Sequence, residues 1–265
     1  MEIRVKDSSS SIVHLQRSLT NNFSLRSVVV VSSSPNPELA KVHVGRAAAA
    51  LIEPLITDGV KIGISWGTTL YQLVEQIVPK MLSGVEVIQL HGGLGAVNPD
   101  IDGFGLARNL ATKVRGRYRI IHAPAVVQSI NLKKMLLKEP DISQTLAAGA
   151  SVDIALFGIG SNLPEINALV RAGYLSEQDS LALLKRGAVG TVCGLHINAK
   201  GRVFPSPLNA RLVGLDRAAL LKIPVRLGVA AGALKTQAVL GAIRGEFVNM
   251  LVIDEDLAAG LLKDS

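Results

Sequence analysis

Short β-branched runs alternate with longer helical stretches along the chain, and this alternation constrains the fold more than any other feature. The pattern begins with the run SVVVVS, Ser27 to Ser32, and a helix over Pro37 to Ile56. It ends with the run FVNMLVI and a helix in DEDLAAGLL. Strands separated by helices of about ten or more residues form parallel βαβ units, and near-continuous apolar strands are buried on both sheet faces. The sequence therefore predicts a three-layer α/β/α fold with a mostly parallel, doubly wound, Rossmann-like sheet.

The same pattern continues between these ends without a low-complexity linker or a repeat of fixed period, so residues 1–265 are predicted to form a single domain. A small β-hairpin is expected as an addition at Thr191–Phe204, turning around Ala199-Lys200-Gly201, and Ser8–Ser11 is expected to be a loop. The other predicted strands are Val60–Ser65, Val85–Leu90, Tyr118–Ala123, Val152–Ile159 and PVRLGVAAG. The other predicted helices are TTLYQLVEQI, Gly105–Val114, two stretches within Ala125–Ala148, Leu163–Ala172, Ser176–Arg186 and ALKTQAVLGAIRG.

Composition excludes several classes of protein. Apolar residues make up 48% and charged residues 18%, which excludes an intrinsically disordered chain. Cys193 is the only cysteine, so no internal disulfide is possible, which suits a reducing cytosol and a cytoplasmic protein. No apolar run has the length of a membrane span and the N-terminus has no apolar signal core. The net charge of +7 indicates an anionic partner, either a nucleic acid or a small phosphate.

Four turns follow predicted strands, where doubly wound folds bind ligands. The first is Trp66-Gly67-Thr68-Thr69. Gly67 permits close backbone approach, two hydroxyls follow it, and the amides of the next helix point to the same place, as in phosphate sites. The alternative is a helix N-cap supplied by Thr68. The Walker spacing is absent, so nucleotide hydrolysis is not indicated.

The second turn is His91-Gly92-Gly93-Leu94-Gly95. His91 can hydrogen-bond a sugar hydroxyl or a phosphate, although a lone histidine at a strand end is usually structural. The dinucleotide fingerprint GxGxxG does not occur at this turn or at FGIGSNLPE. No cofactor is therefore predicted.

The third turn is Gly158-Ile159-Gly160-Ser161 and the fourth is Gly232-Ala233-Leu234-Lys235. Gly160 faces the expected ligand edge, while Ser161 or Asn162 fits the role of an N-cap as well as that of a ligand contact. Lys235 falls in the first turn of its helix, where a cation opposes the helix dipole. Such a placement is favourable if an anion binds at the same helix end; the alternative is a solvated lysine.

Other candidates have simpler explanations. Cys193 has no activating base that the sequence can assign, and the five histidines lack metal-ligand spacing, so neither a nucleophile nor a metal site is predicted. Asp254 opens the last helix, where an acid is favourable. The basic run of Lys113, Arg115, Arg117 and Arg119 is typical of a solvated face rather than of a nucleic-acid site.

A set of motifs in order makes the chain resemble the effector-binding domain of SorC-type bacterial transcriptional regulators. They are GISWGTTL, QLHGGLG, HAPA, LFGIGS, GAVGTVCG and GALKTQAVLGAIRG followed by NMLVIDEDLA, and they span about Ser11 to Leu262. The resemblance implies a fold similar to that of sugar-phosphate isomerases and glucosamine-phosphate deaminases, without their catalysis. It also implies a phosphorylated sugar as effector and assembly into a homo-oligomer, a dimer or a tetramer.

The resemblance assigns site residues where the motifs match. Gly67, Thr68 and Thr69 match the phosphate-cradling turn, Lys235 matches the lysine of a G-x-x-K turn, and Gly92, Gly93 and Gly160 lie in matching glycine turns. His91 replaces an Arg, Lys or Asn of the relatives. Thr191 replaces an acidic residue that contacts sugar hydroxyls, and Asn198 replaces a usual Asp. These departures affect the identity of the sugar more than the phosphate site.

Members of this family normally carry an N-terminal helix-turn-helix domain of roughly 50–60 residues. Here 26 residues precede the first predicted strand and show no such pattern. Operator DNA is therefore expected to bind only through a helix-turn-helix domain that this chain does not contain. The alternative function is a sugar-phosphate isomerase or deaminase with Asp254 or His91 as base. Thr191 and Asn198 remove two carboxylates from the expected site, which favours ligand sensing over catalysis.

Overall fold

The computed structural model describes residues 8–95 and 99–264. The strands are β1 (Ser27–Val31), β2 (Lys61–Ile64), β3 (Glu86–Gln89), β4 (Arg117–Arg119), β5 (Ile154–Ser161), β6 (Ala188–Val192), β7 (Leu195–Asn198), β8 (Val225–Ala230) and β9 (Met250–Asp254). The helices are α1 (Ser8–Phe23), α2 (Pro37–Ile52), α3 (Thr68–Gln76), α4 (Gly103–Lys113), α5 (Ile130–Leu136), α6 (Pro140–Gly149), α7 (Ala168–Arg171), α8 (Glu177–Lys185), α9 (Pro207–Arg211), α10 (Arg217–Leu221), α11 (Thr236–Arg244) and α12 (Glu255–Lys263). Short 3-10 turns occupy Glu53–Leu55, Pro99–Ile101, Pro164–Ile166 and Ala233–Lys235.

The main sheet runs in the order β1-β9-β8-β5-β2-β3-β4, and every neighbouring pair in this order is parallel. The predicted α/β fold with a mostly parallel, doubly wound sheet is confirmed. The chain winds outward in one direction through β3 and β4 and in the other through β8 and β9, so the strand order reverses between β2 and β5. Crevices that bind ligands form at such reversal points, at the carboxyl ends of the strands.

Helices cover both faces of the sheet, because the side chains of a buried strand alternate between its two faces. Leu156 of β5 packs in the apolar cluster beneath α2, α3 and α4. Its neighbour Phe157 packs in the opposite cluster with residues of α1, α11 and α12. Both side chains are completely buried. The central strand therefore has no polar face, which explains why its sequence is almost uninterruptedly apolar.

The expected loop at Ser8–Ser11 is wrong, because these residues begin α1. Serine is a weak helix former, but the helix is held by tertiary packing. Ile12, Leu15 and Leu19 follow the helical spacing and pack in the cluster beneath α12, with Leu19 completely buried. The hydroxyl of Ser11 also donates to Glu255 Oε1 at 3.2 Å.

The predicted strand Tyr118–Ala123 is too long. Strand β4 ends at Arg119. Beyond it, Ile121 N–H donates to the side-chain oxygen Oε1 of Gln89 at 3.0 Å and not to a backbone carbonyl of the neighbouring strand. The predicted helix Leu163–Ala172 is likewise broken. Asn167 caps α7 through a bond from Leu169 N–H at 2.9 Å and so separates that helix from the preceding 3-10 turn.

The predicted hairpin exists, but its main turn lies elsewhere. Strands β6 and β7 pair antiparallel through the two-residue turn Cys193-Gly194, whose φ angles are 50° and 78°. Positive φ at both positions is the requirement of a type I′ turn. The chain does turn again at Ala199-Lys200-Gly201, where Ile197 and Val203 form an isolated bridge. The turn at Cys193-Gly194 was not predictable, because cysteine is not a residue that indicates a left-handed turn.

Candidate functional site

A cavity of about 160 Å³ lies at the carboxyl ends of β2 and β5, at the reversal point of the sheet. The turns after β2 and β8, the last residues of β5 and the hairpin of β6 and β7 supply most of its wall. Of the residues predicted for the site, the cavity brings together Gly67, Thr68, Thr69, Gly160, Thr191 and Lys235. Four segments that are distant in sequence thus meet at one place.

The turn after β2 has the geometry of an anion site. Gly67 occupies the N-cap position of α3 with φ 133°, which strongly favours glycine, and no side chain caps the helix. The alternative in which Thr68 supplies the N-cap is therefore wrong. The first amides of an α-helix have no acceptor within the helix and carry the positive end of its dipole. Here they face the cavity without a protein cap.

Thr69 adds a second unusual feature to this turn. Its side chain is almost completely buried, yet Oγ1 has no hydrogen-bond partner among the described residues. A buried hydroxyl without a partner costs about 1–3 kcal/mol. Thr69 lines the cavity, so a ligand oxygen would remove that cost.

Lys235 enters the cavity from the turn after β8. Burial, together with the nearby charges of Lys41 and Arg171, lowers the pKa of Lys235 to about 8, and the charge of Asp254 acts in the opposite direction. The turn itself is held by Asp254, whose Oδ2 accepts from Gly232 N–H at 2.9 Å and whose Oδ1 accepts from Leu257 N–H at 3.2 Å. Asp254 therefore serves the backbone and does not line the cavity, which leaves its alternative role as a base without geometric support.

The predicted turn Gly158-Ile159-Gly160-Ser161 is wrong, because these residues form the end of β5, where Ile159 to Ser161 pair with β6. This strand end forms a wall in which a side chain larger than that of glycine has little room. A Cβ atom on Gly160 would lie 2.5 Å from Thr191 Oγ1, and one on Gly158 would lie 3.0 Å from the carbonyl oxygen of Trp66. Thr191 faces the cavity from β6. Asn198 does not reach it: its Oδ1 accepts from Lys200 N–H and Arg202 N–H, both at 3.0 Å, at the far end of β7.

His91, Gly92 and Gly93 are not brought to the cavity wall. His91 is completely buried, and its Nδ1 donates to the carbonyl of Gly92 at 2.9 Å. Nε2 of the neutral ring then accepts from Ser65 Oγ at 2.8 Å, and the ring edge packs against Trp66. Burial lowers the pKa of His91 to about 4. His91 thus supports Ser65 and Trp66 from behind the site; its direct contact with a ligand stays a prediction.

Asp102 and Arg171 line the cavity and were missed by the sequence analysis. Asp102 is the N-cap of α4; its Oδ1 accepts from Gly103 N–H at 2.6 Å and from Leu94 N–H at 3.1 Å. An acid before the helical run GFGLARNL was the only available signal. Arg171 is exposed at the end of the short helix α7 and has no local motif.

Cys193 also lines the cavity, but its thiol is not prepared for nucleophilic chemistry. It is buried, and burial raises the pKa of Cys193 far above its usual range, although the Ser65 hydroxyl beside it has a small opposite effect. A thiolate is the reactive form of cysteine. The side chain therefore acts as a small apolar part of the wall.

Residues 8–95 and 99–264 contain neither a metal cluster nor a membrane-spanning helix. This part of the chain has no group of three or more His, Cys, Asp or Glu side chains placed to hold a metal ion. It also has no helix with both the length and the apolar character that crossing a bilayer requires.

Comparison with known proteins identifies relatives over nearly the whole chain. The Sugar-bind family model, which describes a sugar-binding domain, matches residues 8–263. The chain is 32% identical to the deoxyribonucleoside regulator of Bacillus subtilis (strain 168), over 100% of this chain and 84% of that protein. It is 29% identical to the transcriptional regulator LsrR of Escherichia coli (strain K12), over 99% of this chain and 81% of LsrR.

Solved structures give the same result. The full-length sorbitol operon regulator SorC of Klebsiella pneumoniae superposes with a TM-score of 0.88 at 26% identity, covering 99% of this chain and 84% of SorC. A transcriptional regulator of Streptococcus pneumoniae TIGR4 also superposes with a TM-score of 0.88, at 25% identity, covering 97% of this chain and 99% of that one. The chain belongs to this family and is a sugar-binding domain of the SorC type of transcriptional regulator.

Proposed function

We propose that the cavity binds a phosphorylated sugar as an effector and does not turn it over. The observation that supports this most directly is the unpartnered Oγ1 of Thr69 beside the uncapped N-terminus of α3. A phosphate oxygen accepts hydrogen bonds from both a hydroxyl and helix amides. The phosphate would therefore lie against Gly67, Thr68 and Thr69.

The charges around the cavity support an anionic ligand. Lys235 and Arg171 line it, and Lys41 lies close enough to lower the pKa of Lys235. Lys41 is paired with Glu38 at 2.6 Å, whereas Lys235 and Arg171 have no salt bridge among the described residues. A phosphate dianion would offset the mutual repulsion of these cations, so its binding relieves a cost already present in the folded chain.

The sugar end of the ligand would lie toward Asp102 and Thr191 across the cavity. The bonds from Gly103 N–H and Leu94 N–H both go to Oδ1 of Asp102, which leaves Oδ2 toward the ligand. That oxygen can accept from a sugar hydroxyl. Thr191 offers a hydroxyl where the resemblance leads one to expect a carboxylate, so we infer that the preferred sugar differs from that of relatives with an acid there.

Absence of turnover is supported by the state of the groups on the wall. An isomerase or deaminase needs a base at the reacting carbon. Asp102 is the only carboxylate among the described residues that line the cavity, and its Oδ1 is held by two backbone amides. Cys193 is held as a thiol by burial. No observation specifically favours the enzyme alternative.

Replacing Thr69 by valine tests the proposed phosphate contact. We expect this variant to bind a phosphorylated sugar about tenfold more weakly, because it loses one charge-assisted hydrogen bond of roughly 1.5 kcal/mol. The unliganded protein should be as stable as the parent or more stable, since the lost hydroxyl has no partner. Calorimetric titration and urea unfolding measure the two effects.

Thr112→Val is the matched control, because Thr112 is exposed and its hydroxyl bonds only the Arg108 carbonyl of its own helix. The sugar phosphate can be chosen by a thermal-shift panel of aldose and ketose phosphates. Thr69→Val binding the sugar phosphate with parental affinity would contradict the placement of the phosphate.

We further propose that residues 1–265 act as one effector-binding unit, that operator recognition belongs to a separate helix-turn-helix domain, and that the chain assembles as a homodimer or tetramer. Val78 and Met81, in the segment after α3, are 60% and 78% exposed, and such apolar surface is often covered by a partner subunit. Light scattering at micromolar concentration should give a multiple of the 27.9 kDa chain mass. A monomeric mass would refute the assembly.

A further inference from the structure

A second cavity, of about 460 Å³, is lined by seven residues at the other end of α11. Helix α11 begins at Thr236, next to Lys235 of the effector cavity, and ends at Arg244, about 14 Å away at 1.5 Å per residue. The lining consists of the second hairpin turn, the start of α10 and the end of α11; its residues are Lys200, Gly201, Arg202, Val203, Arg217, Arg244 and Gly245. Four of the seven are cations, and none is an acid.

Two glycines hold these segments together. Gly201 has φ 76°, and a Cβ atom on it would collide with the backbone of Gly245. A Cβ atom on Gly245 would in turn collide with the carbonyl oxygen of Gly201. The hairpin turn and the helix end therefore pack backbone against backbone. This close approach brings Lys200 and Arg202 next to Arg244.

The guanidinium groups of Arg217 and Arg244 are held by neutral partners. Arg217 Nη2 donates to the Gly245 carbonyl at 2.9 Å, and the group lies over the Phe247 ring at 5.6 Å. Arg244 donates to the carbonyls of Ala199 at 3.2 Å and Asp264 at 3.0 Å. These contacts fix the orientation of both groups and leave their charges uncompensated.

One hydrogen-bond donor of this cluster also lacks an acceptor. Arg217 Nε is buried and has no hydrogen-bond partner among the described residues. In the same part of the chain, no carboxylate oxygen lies within 4.0 Å of any of the four cations. Nearby acids are used elsewhere: Asp216 caps α10 through Ala219 N–H, and Asp264 Oδ2 accepts from Gln237.

We propose that this cavity, which we call the basic cavity, is a second anion site that binds the phosphate group of a small molecule. Four like charges around one concavity repel each other, and an anion removes that repulsion. Arginine forks match the oxygens of a phosphate, and three arginines line this cavity. The concave shape suits a small ligand better than the convex backbone of a DNA duplex.

The test is a titration of inorganic phosphate into the Lys235→Ala chain, which removes the cation of the effector cavity. Nuclear magnetic resonance follows the backbone amides of Gly201 and Gly245. We expect saturable shifts at both. The double variant Lys200→Gln/Arg202→Gln should weaken phosphate binding about tenfold or more, because both side chains are exposed and their loss removes two charges without disturbing the packing.

The matched control is Lys134→Gln/Lys138→Gln, which removes two exposed charges elsewhere and should leave the affinity within about twofold of the parent value. Arg217→Lys keeps the charge but loses the fork, so it should weaken binding severalfold. Shifts that never saturate, or equal losses in the two double variants, would overturn the proposal. So would a DNA duplex that binds the basic cavity where phosphate alone does not, since that would identify a nucleic-acid surface.

Discussion

Lys235→Ala is expected to weaken binding of a phosphorylated sugar by about ten- to a hundredfold. In the proposed site the partly buried lysine would supply a charge-assisted hydrogen bond to the phosphate, and such bonds contribute roughly 1.5–3 kcal/mol. Binding of the same sugar without its phosphate should change little. Calorimetric titration of both ligands into the variant and the parent measures the difference.

Two controls sharpen this experiment. Lys222→Ala removes an exposed lysine at the end of α10 and should leave affinity unchanged. In the parent, affinity should also fall as the pH rises through about 8, where the unliganded Lys235 loses its proton. Equal affinity of the parent for the phosphorylated and the free sugar would refute the phosphate site altogether.

The free energy of unfolding should fall by about 2–3 kcal/mol per buried histidine between pH 7 and pH 4.5. His91 and His196 are completely buried, and burial lowers the pKa of each to about 4. The unfolded chain takes up these protons near pH 6.5, so acid stabilises the unfolded state. The stability is complete above that pH and is lost as the pH falls toward 4.

Urea unfolding at the two pH values tests this expectation. In the double variant His91→Gln/His196→Gln, the free energy of unfolding should differ between pH 7 and pH 4.5 by about 4–6 kcal/mol less than in the parent. This holds whatever stability the substitutions cost at pH 7. His43→Gln is the control, because His43 is exposed and its loss should leave the pH dependence as it is in the parent. An unchanged dependence in the double variant would show that other groups cause the acid sensitivity.

The sheet could be predicted because its strands are apolar on both faces. Short, continuous apolar runs of this kind are typical of strands that are covered by helices on both sides. The errors fall where tertiary contacts decide. The helix at Ser8–Phe23 begins with weak helix formers and depends on the packing of Leu19. The end of β4 depends on a side chain, Gln89, that replaces a strand partner.

The site was predictable where a single turn contains its own chemistry. Gly67 and Thr69 follow one strand, and Lys235 opposes its own helix dipole, so local sequence sufficed for them. Asp102 and Arg171 reach the cavity from separate elements and have no local pattern. His91 illustrates the opposite limit: a residue at the end of a strand can point either way, and here it points into the core.

The central strand β5 also couples ligand binding to the stability of the rest of the domain. The first part of β5 pairs with β2 and β8, and its last three residues pair with β6, next to the cavity wall. The wall is thus the continuation of the strand that lies deepest in the domain. The wall around Gly160 cannot unfold on its own, because its unfolding would also break the pairings of the central strand. A ligand bound there is therefore linked to the stability of the whole sheet. Occupancy would therefore raise the cooperative stability of the whole domain by mass action, and amide exchange deep in the sheet would slow together with that at the site.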